Sequence, residues 1–311
     1  MRLWLSLLVL LFVFAAPNVW AQTDSQLDWS VDVYRQVRLV PNVVYTRANS
    51  WEGRLDIYAR IGERPVPTVI YIHGGGWMRS SKEANALNAL PYLSMGFAVV
   101  NVGYRLGDVS PAPAAVEDCR CALRWVIEHA KEYNFDVNRL VVAGSSAGGH
   151  LALMTAMAPA DAGFDRSCLS ATVPKVAAVV NFYGITDVAE LLDGPGKKPY
   201  PERWPYATHW LGNAPQREDL ARRVSPLTYV RTGVPPVITV HGDADDTVPY
   251  THAVRLHDAL KKVGVANNLV TIPKGGHAQF PPPEWRRGFA EIHAFLVKHG
   301  LAESPSGGEV R

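Results

Sequence analysis

Apolar residues fall along this chain in short unbroken runs, not in alternation. Residues 69–72, 97–102, 140–143, 176–182, 237–240 and 269–272 are rich in Val, Ile and Ala, with almost no charge among them. A strand buried on both faces reads this way, because neither face needs polar side chains. Between these runs lie longer stretches with helical spacing: 114–133, closed by Asn134, then 149–157, 251–263 and 285–299. In the first of them the apolar stripe runs through Val116, Cys119, Leu123, Val126 and Ala130. Strands alternating with helices predict the α/β class, with a mostly parallel central sheet covered by helices on both faces. Residues 31–44 and 55–58 predict an antiparallel lead-in to that sheet. The stretch 185–230 is rich in Pro, Gly and Trp, including Trp204 and Trp210. It is too long for a plain loop, so it predicts a small helical cap inserted in one domain, residues 22–301. The tail, 302–311, carries Ser-Pro-Ser-Gly-Gly and reads as disordered.

The N-terminus departs from this plan. Met1-Arg2 is a small positive region, residues 3–16 form an apolar run broken only by Ser6, and Val19-Trp20-Ala21 ends in a small residue. That is the layout of a secretory signal peptide, residues 1–21, cut before Gln22. The apolar run falls short of the ~20 residues that span a bilayer. A secreted or periplasmic protein with no stable membrane insertion after cleavage is therefore expected. Export gives the three cysteines a meaning. Cys119 and Cys121 point to nearly opposite faces of their helix and cannot pair with each other. An oxidising compartment leaves Cys121 free to pair with Cys168 in a loop, the alternative being three unpaired thiols. At 48% apolar, 19% charged and a formal charge of +2, the 311 residues have a globular balance with no basic block. Nothing points to nucleic acid, and no cysteine spacing suits a metal or cofactor.

The chemistry concentrates in Gly144-Ser145-Ser146-Ala147-Gly148-Gly149-His150, set between a predicted strand and a predicted helix. Only Ser146 has glycines two residues away on both sides, the pattern of a nucleophile on a strained strand-to-helix turn. Such a serine needs a base, and the base needs a carboxylate to hold its tautomer. His277 follows the last strand in Gly275-Gly276-His277, whereas His252, His257, His293 and His299 fall on predicted helices. Asp243, Asp245 and Asp246 all lie in the loop after the strand 237–240. Gly74, Gly75 and Gly76 follow another strand end, where bare backbone amides can approach a developing oxyanion, and the Ala147 amide adds another donor. Trp77, beside these glycines, is the candidate substrate contact, with Tyr104, Tyr183, Trp204 and Trp210 as further aromatics near strand tops or in the cap.

On these segments, together with His241-Gly242-Asp243-Ala244-Asp245-Asp246-Thr247-Val248-Pro249, the chain resembles the α/β-hydrolase superfamily. Within it the likeness is to esterases of the hormone-sensitive-lipase-like and bacterial feruloyl-esterase-like groups, over about residues 66–299. The resemblance implies Asp245 as the acid, since the family's aspartate stands three residues before Val-Pro. It implies a catalytic set of Ser146, Asp245 and His277, and an oxyanion hole from Gly74, Gly75 and Ala147. It also implies a cofactor-free and metal-free esterase of short acyl or aromatic esters, some linked to polysaccharide. Amide hydrolases of the arylformamidase and prolyl-peptidase-like types share the set and stand as the alternative. The leader assignment is directly testable: exported from a secretion-competent host, the mature chain should begin at Gln22, read by intact mass.

Overall fold

The computed structural model describes residues 19–168, 175–193, 206–213 and 216–304, with side chains from residue 28 onward. It divides into a unit ending at Gln36 and a unit from Val37. In the first, the described element is helix α1 (Val19–Gln36). Residues 1–18 of the expected leader, Trp204 and the tail from 305 lie outside the described residues. No helix among the described residues is long and apolar enough to cross a membrane. Residues 31–36, expected to open the first strand, instead complete α1. The reason lies in the partner strand: Val37 pairs with Arg60, the last residue of β2, so earlier residues would have no ladder to join.

In the second unit, the described residues form one eight-stranded sheet in the order β1-β2-β4-β3-β5-β6-β7-β8. The strands are β1 (Val37–Ala48), β2 (Trp51–Arg60), β3 (Val66–Ile72), β4 (Ala98–Val102) and β5 (Phe135–Ser145), then β6 (Ala178–Phe182), β7 (Val237–Gly242) and β8 (Asn267–Ile272). The first two are antiparallel lead-ins, and every later pairing is parallel. Strands β4, β6 and β7 are buried along their whole length, as their unalternating apolar sequences require.

The crossovers fix the layers. The chain leaves β3 in one direction to form β4 through α2 (Leu90–Ser94), then passes back over β3 to form β5 through α3 (Ala114–Glu128) and α4 (Ala130–Tyr133). Right-handed crossovers in opposite directions put α2 and α3 on opposite faces. Helix α5 (Ala147–Met157) packs beside α3. On the other face Tyr92 of α2 meets Phe289 of α10 (Pro282–Lys298), their rings 6.3 Å apart. The order reverses between β3 and β5, and in open α/β sheets the crevice at such a reversal, beyond the strands' carboxyl ends, is where ligands bind. Among the described residues, three short helices, α6 (Glu190–Asp193), α7 (Tyr206–Leu211) and α8 (Arg217–Arg223), lie between β6 and β7, and α9 (Thr251–Lys262) joins β7 to β8.

Helix α3 faces the segment that follows α5. Arg120 holds Asp165 with two hydrogen bonds of 2.6 Å and donates to the Ala158 carbonyl at 2.7 Å, while Arg124 reaches Asp165 at 2.9 Å. This buried clamp brings Cys168 onto the helix, where it is disulfide-bonded to Cys121 with Cα atoms 5.4 Å apart. Cys119 is a buried free thiol on the other side of the helix. The bridge spans a sequence separation of 47 residues. Closing a loop of that length restricts the unfolded chain, so reduction should lower unfolding free energy by about 2–4 kcal/mol. Urea unfolding with and without reductant checks this, with Cys121→Ala/Cys168→Ala as the matching variant.

Candidate active site

Ser146 stands at the junction of β5 and α5 with φ 55° and ψ −122°. A side chain at that φ is strained and persists only when its surroundings dictate it. Here the Ser146 amide donates to the Phe182 carbonyl at 2.8 Å, and the Ser146 carbonyl accepts from the His150 amide at 3.0 Å. A Cβ on Gly148 would lie 2.0 Å from the Ile72 carbonyl oxygen, and one on Gly144 2.3 Å from the Gly148 carbonyl oxygen. Backbone atoms cannot swing aside as side-chain tips can. Strand and helix reach this separation only with glycine at both positions.

His277, in the loop after β8, places Nε2 2.9 Å from Ser146 Oγ and Nδ1 2.8 Å from Asp245 Oδ2. Asp245 lies between β7 and α9, where its Oδ1 accepts the amides of Thr247 at 2.9 Å and Val248 at 2.8 Å. Burial opposes ionisation of this carboxyl. Hydrogen bonds from His241 and His277, then the charge of His277 and the Val248 amide, outweigh it and hold the group well below the usual carboxylate range. The competing aspartates are used elsewhere: Asp243 accepts the Lys274 amide at 2.6 Å, and Asp246 is exposed, accepting the Thr247 hydroxyl at 3.3 Å. Of the three carboxylates, the structure brings Asp245 to the histidine. Backbone bonds from Asp243 to Ile272 and from Ala244 to Gly275 tie the two loops together. Tyr183, at φ 39°, sets its ring edge-on to His277 at 4.8 Å.

The expected amide donors gather beside this set. A Cβ on Gly74 would lie 3.3 Å from Ser146 Cβ. Gly75, at φ 116°, turns so tightly that its carbonyl accepts both the Met78 and Arg79 amides at 3.1 Å. Ala147 opens α5, and amides in the first turn of a helix have no acceptor within it. His73, just before the glycines, stacks on Tyr104 at 4.3 Å and bonds the Gly74 carbonyl through Nδ1 at 2.7 Å. A hydroxyl facing an imidazole backed by a carboxylate can lose its proton while attacking a carbonyl, and nearby amides can hold the oxyanion that forms.

Trp77 departs from its expected place on the pocket wall. It is wholly buried, stacked on Trp210 of α7 at 4.2 Å, and donates its indole N–H to His150 Nδ1 at 3.1 Å. A buried indole N–H needs an acceptor, and the one it finds lies behind the site. Trp77 therefore props the glycine loop against α5 and α7. Trp210 and Tyr104 are buried in the same way, leaving Tyr183 as the described aromatic in contact with the histidine.

Residues 55–260 match the family model BD-FAE. The chain belongs to the BD-FAE family. Among curated relatives of this BD-FAE member, the probable carboxylic ester hydrolase LipM of Mycobacterium tuberculosis is 31% identical over 227 residues, 70% of this chain and 50% of the relative. Carboxylesterase NlhH of the same organism is 36% identical over 140 residues, 42% of this chain and 44% of that protein. The chain spans about half the length of the curated relatives it matches. Among solved structures, a truncated carbohydrate esterase from gut microbiota has a TM-score of 0.71 at 26% identity, covering 85% of this chain and 96% of that one. A propionate-bound esterase, Est2 of Thermogutta terrifontis, has a TM-score of 0.72 at 25% identity, covering 87% and 97%. The expected α/β-hydrolase fold is thus established for this BD-FAE chain.

Two histidines that the sequence reading passed over support the site. His150 accepts from Trp77 through Nδ1, so its Nε2 carries the hydrogen and donates to the Val224 carbonyl at 2.6 Å, just past α8. One imidazole thereby ties the helix that follows Ser146 to the glycine loop and to the insertion. His241 ends β7 and reaches Asp245 Oδ2 at 3.2 Å. Each is a polar side chain set in or ending an apolar run, a signal visible in the sequence. Burial pushes His73, His150 and His252 down to about 4. Unfolded, each would protonate near its ordinary value of ~6.5. Above that pH neither state binds the protons. As pH falls from 6.5 toward 4 the unfolded chain binds them first, and stability is lost by up to about 3 kcal/mol per histidine. Unfolding free energy should therefore drop steeply over this window, and a denaturant series at pH 7, 6, 5 and 4 measures it.

Proposed function

We propose that this BD-FAE member is an exported serine hydrolase of carboxylic esters, acting on short acyl or aromatic esters, including those carried on polysaccharide. The observation that carries the reading is the hydrogen-bonded run from Ser146 to His277 to Asp245, at 2.9 and 2.8 Å. Ser146 Oγ bonds to the ester carbonyl carbon while His277 Nε2 takes its proton. The oxyanion so formed is held by the amides of Gly74, Gly75 and Ala147, and Asp245 steadies the imidazolium. Collapse breaks the bond to the alcohol oxygen, which leaves with the proton from His277 and leaves an acyl-serine behind. Water, deprotonated by the same imidazole, attacks the acyl carbon and frees the acid with Ser146 restored.

Relatives named as ester hydrolases and the propionate-bound neighbour support the ester and short-acyl parts of the proposal. The leader pattern of residues 1–21 and the Cys121–Cys168 disulfide support export, because such bonds persist in oxidising compartments. Ser146→Ala should lower kcat on p-nitrophenyl acetate by roughly 10⁴-fold or more, and a fluorophosphonate should label Ser146 in the native chain. Retained hydrolysis in the variant would reject the serine mechanism. Faster turnover of formyl-kynurenine or prolyl amides than of esters would move the assignment to amide hydrolysis.

A further inference from the structure

Asp245 Oδ2 has two histidine neighbours, and the proposed triad employs one of them. The other, His241, is wholly buried at the end of β7. Its Nε2 lies 3.2 Å from Asp245 Oδ2 and 3.0 Å from the Val248 carbonyl oxygen. A carbonyl and a carboxylate only accept, so this nitrogen carries the hydrogen. Nδ1 is buried with no hydrogen-bond partner among the described residues. A proton there would be an unsatisfied donor, so the ring is a neutral Nε2–H tautomer. Tyr183 from the end of β6 and Tyr250 at the head of α9 stand edge-on to it at 6.5 and 5.7 Å. Besides these two phenols, His252 of α9 faces the pair. Behind His252, Arg255 pairs with Asp187 at 2.6 Å and with Glu190, so those charges offset one another.

The Thr247 and Val248 amides bond Oδ1 and His277 bonds Oδ2, while the His241 N–H, hydrogen-bonded to the Val248 carbonyl, stands 3.2 Å from that same Oδ2. An N–H held this close to Oδ2 draws charge from the oxygen that faces His277. The geometry points to His241 as a positioning residue that shares Oδ2 with His277 and so sets the pH range over which His277 serves as a base. This inference rests on the proposed Ser146–His277–Asp245 mechanism. Its sign is fixed. Without the His241 donor, Oδ2 keeps more charge, the His277 imidazolium is more stable, and the base stays protonated to higher pH.

The test is the acidic limb of kcat/KM against pH for p-nitrophenyl acetate. His241→Phe keeps the ring contacts and removes the donor. It should raise the limb by about half to one pH unit and lower kcat roughly 3- to 30-fold as the acid loses its aim. His241→Gln, whose amide nitrogen reaches the place of Nε2, should return the limb toward the native position. A merely structural role would lower activity or the melting point and leave the limb where it was. An unmoved limb in folded His241→Phe overturns the inference. If that variant does not fold, ¹⁵N-histidine spectra of the native chain decide. His241 must show a hydrogen on Nε2 and none on Nδ1 at the pH of the assay, and a bare Nε2 overturns it. Retained hydrolysis in Ser146→Ala would instead defeat the triad itself, a separate and distinguishable failure.

Discussion

The first turn of α5 runs against the end of β3 with no room for a methyl group, and the site depends on that approach. Gly148 and Gly144 permit it, and the Ile72 and Gly148 carbonyl oxygens set its limit. Because helix and strand are this close, the residue between β5 and α5 has only a strained conformation open to it, and Ser146 occupies it. The same proximity puts Gly74 beside the Ser146 side chain. The sheet order places the approach at β3 and β5, where the chain reverses direction and leaves a crevice. A strained serine and bare amides share one spot because one backbone contact demands both.

Around that contact the protein uses buried neutral histidines as two-ended connectors. A neutral imidazole has one donor and one acceptor, so it can join two groups of opposite hydrogen-bonding character inside a core. His150 accepts from Trp77 and donates to Val224. His252 works from one end only: its Nδ1 accepts the Thr186 amide at 3.1 Å, fastening the segment after β6 to α9, while Nε2 has no hydrogen-bond partner among the described residues. Burial keeps both uncharged. His277 differs in setting and not in chemistry: 19% of its side chain is exposed, its Nδ1 faces a carboxylate and its Nε2 faces a hydroxyl that could give up a proton. Environment separates the structural histidines from the one that can work as a base.

Much of this was legible in the residues themselves. Unalternating apolar runs identified the strands of a parallel sheet, because burial on both faces leaves the same mark wherever the strand lies in the order. Glycines around Ser146 and after β3 announced close approaches. Cys121 was paired with Cys168 because a helix turns Cys119 the other way. The first strand starts at Val37 and not at Val31, because residues 31–36 do not themselves show whether a partner strand extends far enough to pair. Trp77 was placed on the pocket wall because adjacency in sequence to the oxyanion glycines suggests nearness to substrate, whereas a positive φ of 60° turns its ring into the core.

The sequence by itself determined the fold class, the strand-to-helix serine and the short roster of acids and bases from which a site could be drawn. Such features are local, or depend only on the order of elements along the chain. Tertiary structure bonded His277 to Asp245, the aspartate that the family resemblance implied, and it alone decided that Trp77 is a prop and that His241 and His150 support the site. Those outcomes turn on ångström-scale distances between segments up to 131 residues apart. A hydrogen bond exists or fails over a few tenths of an ångström, and no pattern along a single chain records separations that fine.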